Sequence, residues 1–440
     1  MRRTKPAAVA LHWLGLAAPL AVIFTGLLIK GANDSALAAL LAACLCALLA
    51  VRAITAPRDA LASTLRECWL PGLAAIAFAG WAIFTATPAS AAFSHPLRDA
   101  FGVGPGPASL SPYRTLEGAA AFFGPAAAFA LGALAVQDRQ DRDRIGRLIW
   151  ICAGAFAAYA IVRHALSEGE QGVRRLMVHF GSANAAATTF AILMCLIAPY
   201  LLRVGRGRIG AGAGPGGFAA PLLRAPLACA AFVACATALL LTASRAGALS
   251  AAVAIIAFAL LALVGMRSRG GVAALAATLL VAAGLASVGG QFALDRLDTL
   301  AGDRLHRDVM VETHWRAFQD RPVIGHGLNT FHELNQLYAR PEDYHVLNTI
   351  GSAHNIYLQA LEETGYVGFA LFALMLGPIL ARLLFAAIEG GSGSEWAAGA
   401  LAAAIGALAH GFVDFGLQTP AIAALLMFAL GAYARRDVHL

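Results

Sequence analysis

Long apolar runs recur along this chain with short polar interruptions between them. Runs of about 18 to 22 residues, each able to cross roughly 30 Å of hydrocarbon as a helix, can be placed twelve times. They lie near 8–29, 34–51, 70–89, 117–136, 145–165, 182–202, 225–243, 246–265, 271–290, 365–386, 396–415 and 419–434. Ser244 and Arg245 alone part the seventh from the eighth. The first run follows "MRRTK" and begins like a signal peptide, but no small-residue cleavage site follows its apolar core, so it is expected to be retained. One long polar stretch, 291–364, breaks the rhythm. Within it "GDRLHRDVMVETHWRAFQDRP" predicts an amphipathic helix near 303–320, ended by Pro322. Its apolar side is Leu305, Val309, Met310, Ala317 and Phe318, while Arg304, Arg307, Val311 and His314 follow one another along another face. "VIGHGLNTF" supplies two glycines for a turn into a second short element, and "PEDYHVLNT" reads as a mobile connection. "SAHNIYLQALEETG" is expected to be a helix with His354, Leu358 and Leu361 on one face, and Gly365 lets it turn into the next apolar run.

Composition agrees with an all-α polytopic membrane protein of about twelve transmembrane helices. The chain has 440 residues, 59% hydrophobic and 13% charged, with a mean hydropathy of +0.70. It divides into N-terminal helices 1–5 (1–180), helices 6–9 (181–290), the loop (291–364) and helices 10–12 (365–440), all within a single membrane domain. Arginine placement sets the orientation. With the N-terminus inside, the cytoplasmic segments hold 19 of the 32 Lys and Arg residues. The short external segments hold seven: Lys30, Arg98, Arg114, Arg163, Arg174, Arg175 and Arg245. Both termini are therefore expected to be cytoplasmic. This sorting accounts for the +7 charge, which is not read as a nucleic-acid signal. The seven cysteines fall in spans or on the cytoplasmic side, with no disulfide or metal-ligand spacing.

The polar chemistry gathers on one face. Six of the twelve histidines, His306, His314, His326, His332, His345 and His354, lie in the long loop, and His95, His164, His179 and His410 fall at other external ends. The spans hold almost no ionisable side chain at mid-depth, where an ion-coupled transporter normally places one. The distribution suits an enzyme acting at the membrane surface on a substrate whose tail stays in lipid. Asp141 and Asp143 form an Asp-x-Asp, but within "DRQDRDR", a short cytoplasmic turn, a structural role is expected. "GRIGAGAGPGGFAAP" (207–221) reads as a flexible cytoplasmic linker without the Lys-Ser/Thr of a phosphate loop.

"LLLTASRAGALSAAVAIIAFALL", "RDVMVETHWRAFQDRPVIGHGLNTF", "SAHNIYLQALEETGYVGFALFALML" and "LAHGFVDFGLQTPAIAALLMFALGAYA", in that order and with a large external loop among them, resemble the O-antigen ligase and polymerase family of bacterial membrane glycosyltransferases. The resemblance covers about 180–435, with "HFGSANAAATTFAILMCLIAPYLL" as a looser match to the family's Asn-containing span. It implies a GT-C-like membrane fold in the bacterial inner membrane and a periplasmic active site. The implied donor is a glycan on undecaprenyl diphosphate, and the implied acceptor is the lipid A core, another lipid-linked glycan or a protein hydroxyl. No metal or other cofactor is implied. Such a reaction needs a base for the acceptor hydroxyl and positive charge for the departing diphosphate. Histidine suits the first, and arginine, with its paired donors, suits the second.

Residue by residue, the family's loop histidine falls on His354 and its Ser-Arg motif on Arg245. The arginine opening its loop helix, fifteen positions before the Pro-x-x-Gly element, falls on Arg307. Arg175, Arg304, Asn355 and Glu363 are the expected substrate-binding neighbours. Each has a plainer reading: an interfacial cap for His354, a snorkelling cation for Arg245, one of several solvated arginines for Arg307. Glu363 is expected to face water or an arginine, and His410 and Asp414, four apart, to hydrogen-bond each other in a structural pair. A lipid-linked glycan flippase shares the apolar runs but calls for a polar path through them.

Overall fold

The computed structural model describes residues 6–171, 175–208, 220–266, 284, 297–348, 350–391 and 393–434. Among these the elements are helices, and no strand occurs. The principal ones are α1 (Pro6–Leu28), α2 (Ser35–Thr55), α3 (Arg58–Thr85), α4 (Pro112–Ala135), α5 (Arg139–Gln171), α6 (Ala183–Gly205), α7 (Pro226–Leu241), α8 (Arg245–Met266), α9 (Leu297–Asp320), α10 (Phe331–Tyr338), α11 (Ile356–Glu389), α12 (Ser394–His410) and α13 (Pro420–Tyr433). Seven of them, α2, α3, α4, α5, α6, α8 and α11, are long and apolar enough to cross a membrane. The chain is thus an all-α, multi-pass membrane protein. Eleven of the twelve apolar runs fall on helices. The ninth, 271–290, and most of the 207–221 linker lie outside the described residues.

The centre of the bundle is α6, α12 and α13, whose side chains are buried almost all round. Alanine and glycine make this close packing possible. A Cβ at Gly132 of α4 would run into the Phe428 carbonyl of α13, and one at Gly431 into the Phe129 carbonyl of α4. Small residues there let two backbones touch, which is how helices gain contact energy where lipid removes the usual hydrophobic incentive.

Ion pairs close the end of the bundle opposite the long loop. Asp141 accepts from the Gln137 and Asp138 backbone amides at 2.9 and 3.1 Å and pairs with His12 (2.7 Å) and Arg144 (2.8 Å). Asp143 accepts from Trp396 Nε1 at 3.0 Å and from Arg203. Buried Glu395 gathers Arg203, Arg206 and Arg208 at 3.2, 2.6 and 2.5 Å. The Asp-x-Asp therefore joins helices α1, α5, α6 and α12, in the structural role its sequence context indicates.

At the other end the long loop folds onto α11, and a break in that helix receives it. Gly365 adopts φ 62°, ψ −173°, so the helix is interrupted there. The ordinary bonds from residues 366 and 367 back to 362 and 363 are replaced by an inserted segment. Tyr366 and Val367 donate instead to the Pro322 and Val323 carbonyls (2.8 and 3.2 Å), while His326 and Gly327 donate to the Glu362 and Glu363 carbonyls (2.9 and 2.8 Å). The carbonyls of 362 and 363 and the amides of 366 and 367 are thereby satisfied. A Cβ on Gly325 would strike the Glu363 backbone, and one on Gly365 the Val323 carbonyl. The glycines of "VIGHG" and "ETG" are thus two sides of one contact. The first part of α11, Ile356–Thr364, forms an arm against the loop, and the apolar span begins beyond the break. Met310, Ala317 and Phe318 of α9 are buried, on the apolar side the periodicity predicts.

Candidate functional site

Two helix starts and two turns between helices converge beneath the loop. Ser182 caps α6 by accepting from the Ala185 amide at 3.2 Å, which directs Asn184 of the first turn toward the bundle axis. The turn between α7 and α8 passes through Ala243 at φ 47° and presents Ser244. The turn between α12 and α13 carries Asp414, whose Oδ2 accepts from the Gly416 amide at 3.0 Å. His354 precedes α11.

Asn184 is the hub. Its Oδ1 accepts from Ser244 Oγ at 2.8 Å and Arg175 Nη2 at 3.0 Å, and its Nδ2 donates to Asp414 Oδ1 at 3.1 Å. Arg175 also donates from Nε to the Thr242 carbonyl at 2.9 Å, so the guanidinium is held by the first turn of α6 and by the turn before α8. Asp414 Oδ1 lies 3.6 Å from His354 Nδ1. Burial works against the buried Asp414 carboxylate. The His354 imidazole, the His410 charge and the Asn184 amide outweigh it and hold the carboxyl below its usual range.

His354 itself is not helical. It sits at φ 48°, in the left-handed region that few non-glycine residues adopt, and its side chain is 31% exposed. Fixed contacts surround this corner. The Ala353 amide donates to Gln359 Oε1 (3.1 Å), and the Ile356 amide donates to the Gly411 carbonyl (2.9 Å). Tyr357 Oη donates to the Leu408 carbonyl (2.8 Å), and Phe415 packs edge-on to the imidazole at 5.0 Å. The helix expected from "SAHNIYLQALEETG" thus starts two residues later than His354. Asn355 is its cap, accepting from the Tyr357 and Leu358 amides at 3.1 Å each. An asparagine before an apolar run is a cap signal, and it marks this boundary.

Arg307 comes from α9. His314 Nδ1 lies 2.7 Å from Glu362 Oε2, and the Phe318 and Tyr366 rings meet edge-on at 5.3 Å. Both pairs are separated by 48 positions, so α9 runs parallel to α11 with one register on the two sides of the break. The same offset aligns buried Met310 with buried Leu358, and Arg307 with Asn355. Arg307 is exposed, and its charge reaches His410.

The expected residues divide accordingly. His354, Arg175 and, by register, Arg307 come to one corner. Arg245 opens α8 directly after Ser244 and is half-buried. Arg304 lies one turn before Arg307 on α9. Glu363 faces neither water nor arginine. It is buried, accepting from the Asn329 amide of the loop (2.7 Å) and from Gln359 Nε2 one turn earlier on the arm (3.0 Å), donors that take the place of solvent. His410 and Asp414 do not bond each other. Helix α12 ends at His410, whose Nδ1 pairs with Thr188 Oγ1 at 2.8 Å, and Asp414 lies beyond a turn. Sequence reasoning missed Asn184 and Ser244 as site residues and misassigned Asp414. The asparagine within an apolar span and the serine of Ser-Arg were the signals available.

Arg245, Arg307 and His354 all fall within residues 230–373, the segment that matches the family model described as O-antigen ligase. Comparison with curated proteins finds no match. Between the ordered motifs and that match, this multi-pass membrane protein carries a domain of the O-antigen ligase family.

Proposed function

We propose that the protein is a glycosyltransferase of the periplasmic face of the bacterial inner membrane, moving a glycan from undecaprenyl diphosphate to an acceptor hydroxyl in the manner of an O-antigen ligase. The reading takes the fold as GT-C-like with twelve spans and both termini cytoplasmic. The observation that carries it is the corner at His354, where a half-exposed imidazole stands 3.6 Å from buried Asp414 and arginines approach from separate elements.

With Nδ1 turned to Asp414, His354 Nε2 is the nitrogen left for an acceptor. It takes the hydroxyl proton as the acceptor oxygen bonds to the anomeric carbon. The bond from that carbon to the diphosphate oxygen breaks, and the electron pair leaves with the diphosphate. Arg307, Arg245 and Arg175 receive the departing charge, and Asn355 fixes the backbone beside the base. Asp414 stabilises the imidazolium that forms. The lipid A core is the acceptor of the ligase reading, and a second lipid-linked glycan is the acceptor if the enzyme polymerises.

Purified protein in lipid nanodiscs, given a polyprenyl-diphosphate-linked glycan and a lipid A core acceptor, is expected to yield glycosylated core and free polyprenyl diphosphate. Elongated lipid-linked glycan without core product would mean a polymerase. Passage of the donor across liposomes without any new glycosidic bond would contradict the proposal.

A further inference from the structure

His314 and Glu362 form a buried polar pair that the chemistry above does not use. Their side chains are 1% and 0% exposed, the imidazole stacks on Phe331 at 4.6 Å, and Asn335 and Glu363 lie beside it. Burial pushes His314 down to about 4, although Asn335 and Glu363 act in the other direction. Only one hydrogen bond joins the pair. His314 Nε2 and Glu362 Oε1 have no hydrogen-bond partner among the described residues. Two apolar side chains of similar volume would stabilise such a position as well or better. What an apolar pair does not supply is a fixed alignment.

Alignment matters at this position. Beside this pair, the register sets buried Met310 opposite buried Leu358, and the Phe318 and Tyr366 rings meet just past the break, apolar groups that tolerate sliding. A slide of α9 along the arm breaks the His314–Glu362 bond and strands two buried polar groups. Arg307 is seven residues before His314, two turns along the same face and roughly 10 Å away. On the other helix, Glu362 is seven residues beyond Asn355, the cap adjoining His354.

We infer that His314 and Glu362 are positioning residues, a clamp that sets the register of α9 against the α11 arm and so holds the Arg307 guanidinium at the His354 corner. The inference rests on the proposed roles of Arg307 and His354. A displacement of about 1 Å at a reacting centre costs up to a hundredfold in rate, so a clamp two turns away has leverage without touching substrate.

The test separates register from stability. In H314F/E362L both polar partners become apolar and the ring stack on Phe331 is kept, so the full-length protein is expected to fold with unchanged or raised thermal stability. Spin-labelled amino acids at exposed Asp308 and Phe412 report the separation of α9 from the turn after α12. The clamp predicts a broadened or shifted distance distribution in the double variant and a kcat lowered roughly tenfold or more per folded molecule. E362Q, which keeps the length and a hydrogen bond, is expected to retain both wild-type values. A wild-type distance distribution in H314F/E362L overturns the inference, whatever happens to activity. So does a loss of kcat that only tracks the folded fraction. Should the double variant not fold, H314L/E362M, also apolar at both positions, carries the same comparison. If wild-type protein transfers no glycan, the functional reading fails, and the distance measurement still decides whether the clamp exists.

Discussion

Asn184 Nδ2 donates to Asp414 Oδ1 at 3.1 Å across 230 positions of sequence, while its Oδ1 accepts from both Arg175 and Ser244. The two donors on one side and the carboxylate on the other fix which way the amide points. A single side chain therefore ties the start of α6, the turn before α8 and the turn after α12 to the residue that faces His354. Asn184→Ala removes the amide donor from Asp414 and the acceptor from Arg175 and Ser244. The expected result is a transfer rate lowered on the order of tenfold to a hundredfold, the range a misplaced reacting group costs. Rate per folded molecule is the quantity to measure, and wild-type turnover would show that Asp414 and Arg175 are held by other means.

A second prediction concerns pH. The Leu97 amide donates to His95 Nδ1 (3.3 Å), His95 Nε2 faces His326 Nδ1 (3.0 Å), and His326 Nε2 faces the Ala317 carbonyl (2.8 Å). The carbonyl must accept, so His326 carries its proton on Nε2, and His95 in turn donates from Nε2. Each ring nitrogen has a partner only while both rings are neutral. Burial, with the nearby Arg321 charge, accordingly pushes His95 down to about 3 and His326 to about 4. Unfolded histidines titrate near 6.5. Between those values the unfolded chain binds more protons, so folding stability is fullest above about pH 6.5 and falls as pH drops toward 4. Through these two rings Tm in detergent should be lower at pH 5 than at pH 7.5, against the opposite contribution of Glu363, whose carboxyl burial raises to about 8. His95→Gln, which keeps the donor to His326, should shrink the fall. A fall in Tm that His95→Gln leaves unchanged would mean that the rings take up protons in place.

The break in α11 makes a third prediction. Gly365 has positive φ and stands against the Val323 carbonyl, so Gly365→Ala is strained in backbone and in space. A loss of about 1–3 kcal/mol in stability is expected, with the loop segment 322–327 released from its seat. Amide exchange at His326 and Gly327 reports that release, because those amides bond only to the arm. Unchanged protection in the variant would show that the loop is held elsewhere.

Much of this was legible in the sequence where the physics is local. Twenty apolar residues in a row leave few choices but a spanning helix, and a glycine between an amphipathic segment and an apolar run marks a turn. The structural role of Asp141 and Asp143 was legible from the charge around them. The errors fall where partners are distant. Continuing the helical period backward put His354 inside α11, whereas Asn355 caps it and leaves His354 in the left-handed region. Continuing it forward put Asp414 one turn from His410, whereas α12 ends at His410 and Asp414 meets Asn184. Glu363 is buried with one donor, the Asn329 amide, coming from a loop more than thirty residues earlier, and no local pattern carries that.

The central claim is that His354 removes the acceptor proton at the corner facing Asp414. The direct measurement is the rate of glycan transfer by His354→Ala in nanodiscs, beside wild type at matched amounts of folded protein. Loss of a general base predicts a fall of about a hundredfold to ten-thousandfold, with the donor still bound. Undiminished transfer by His354→Ala would contradict the account.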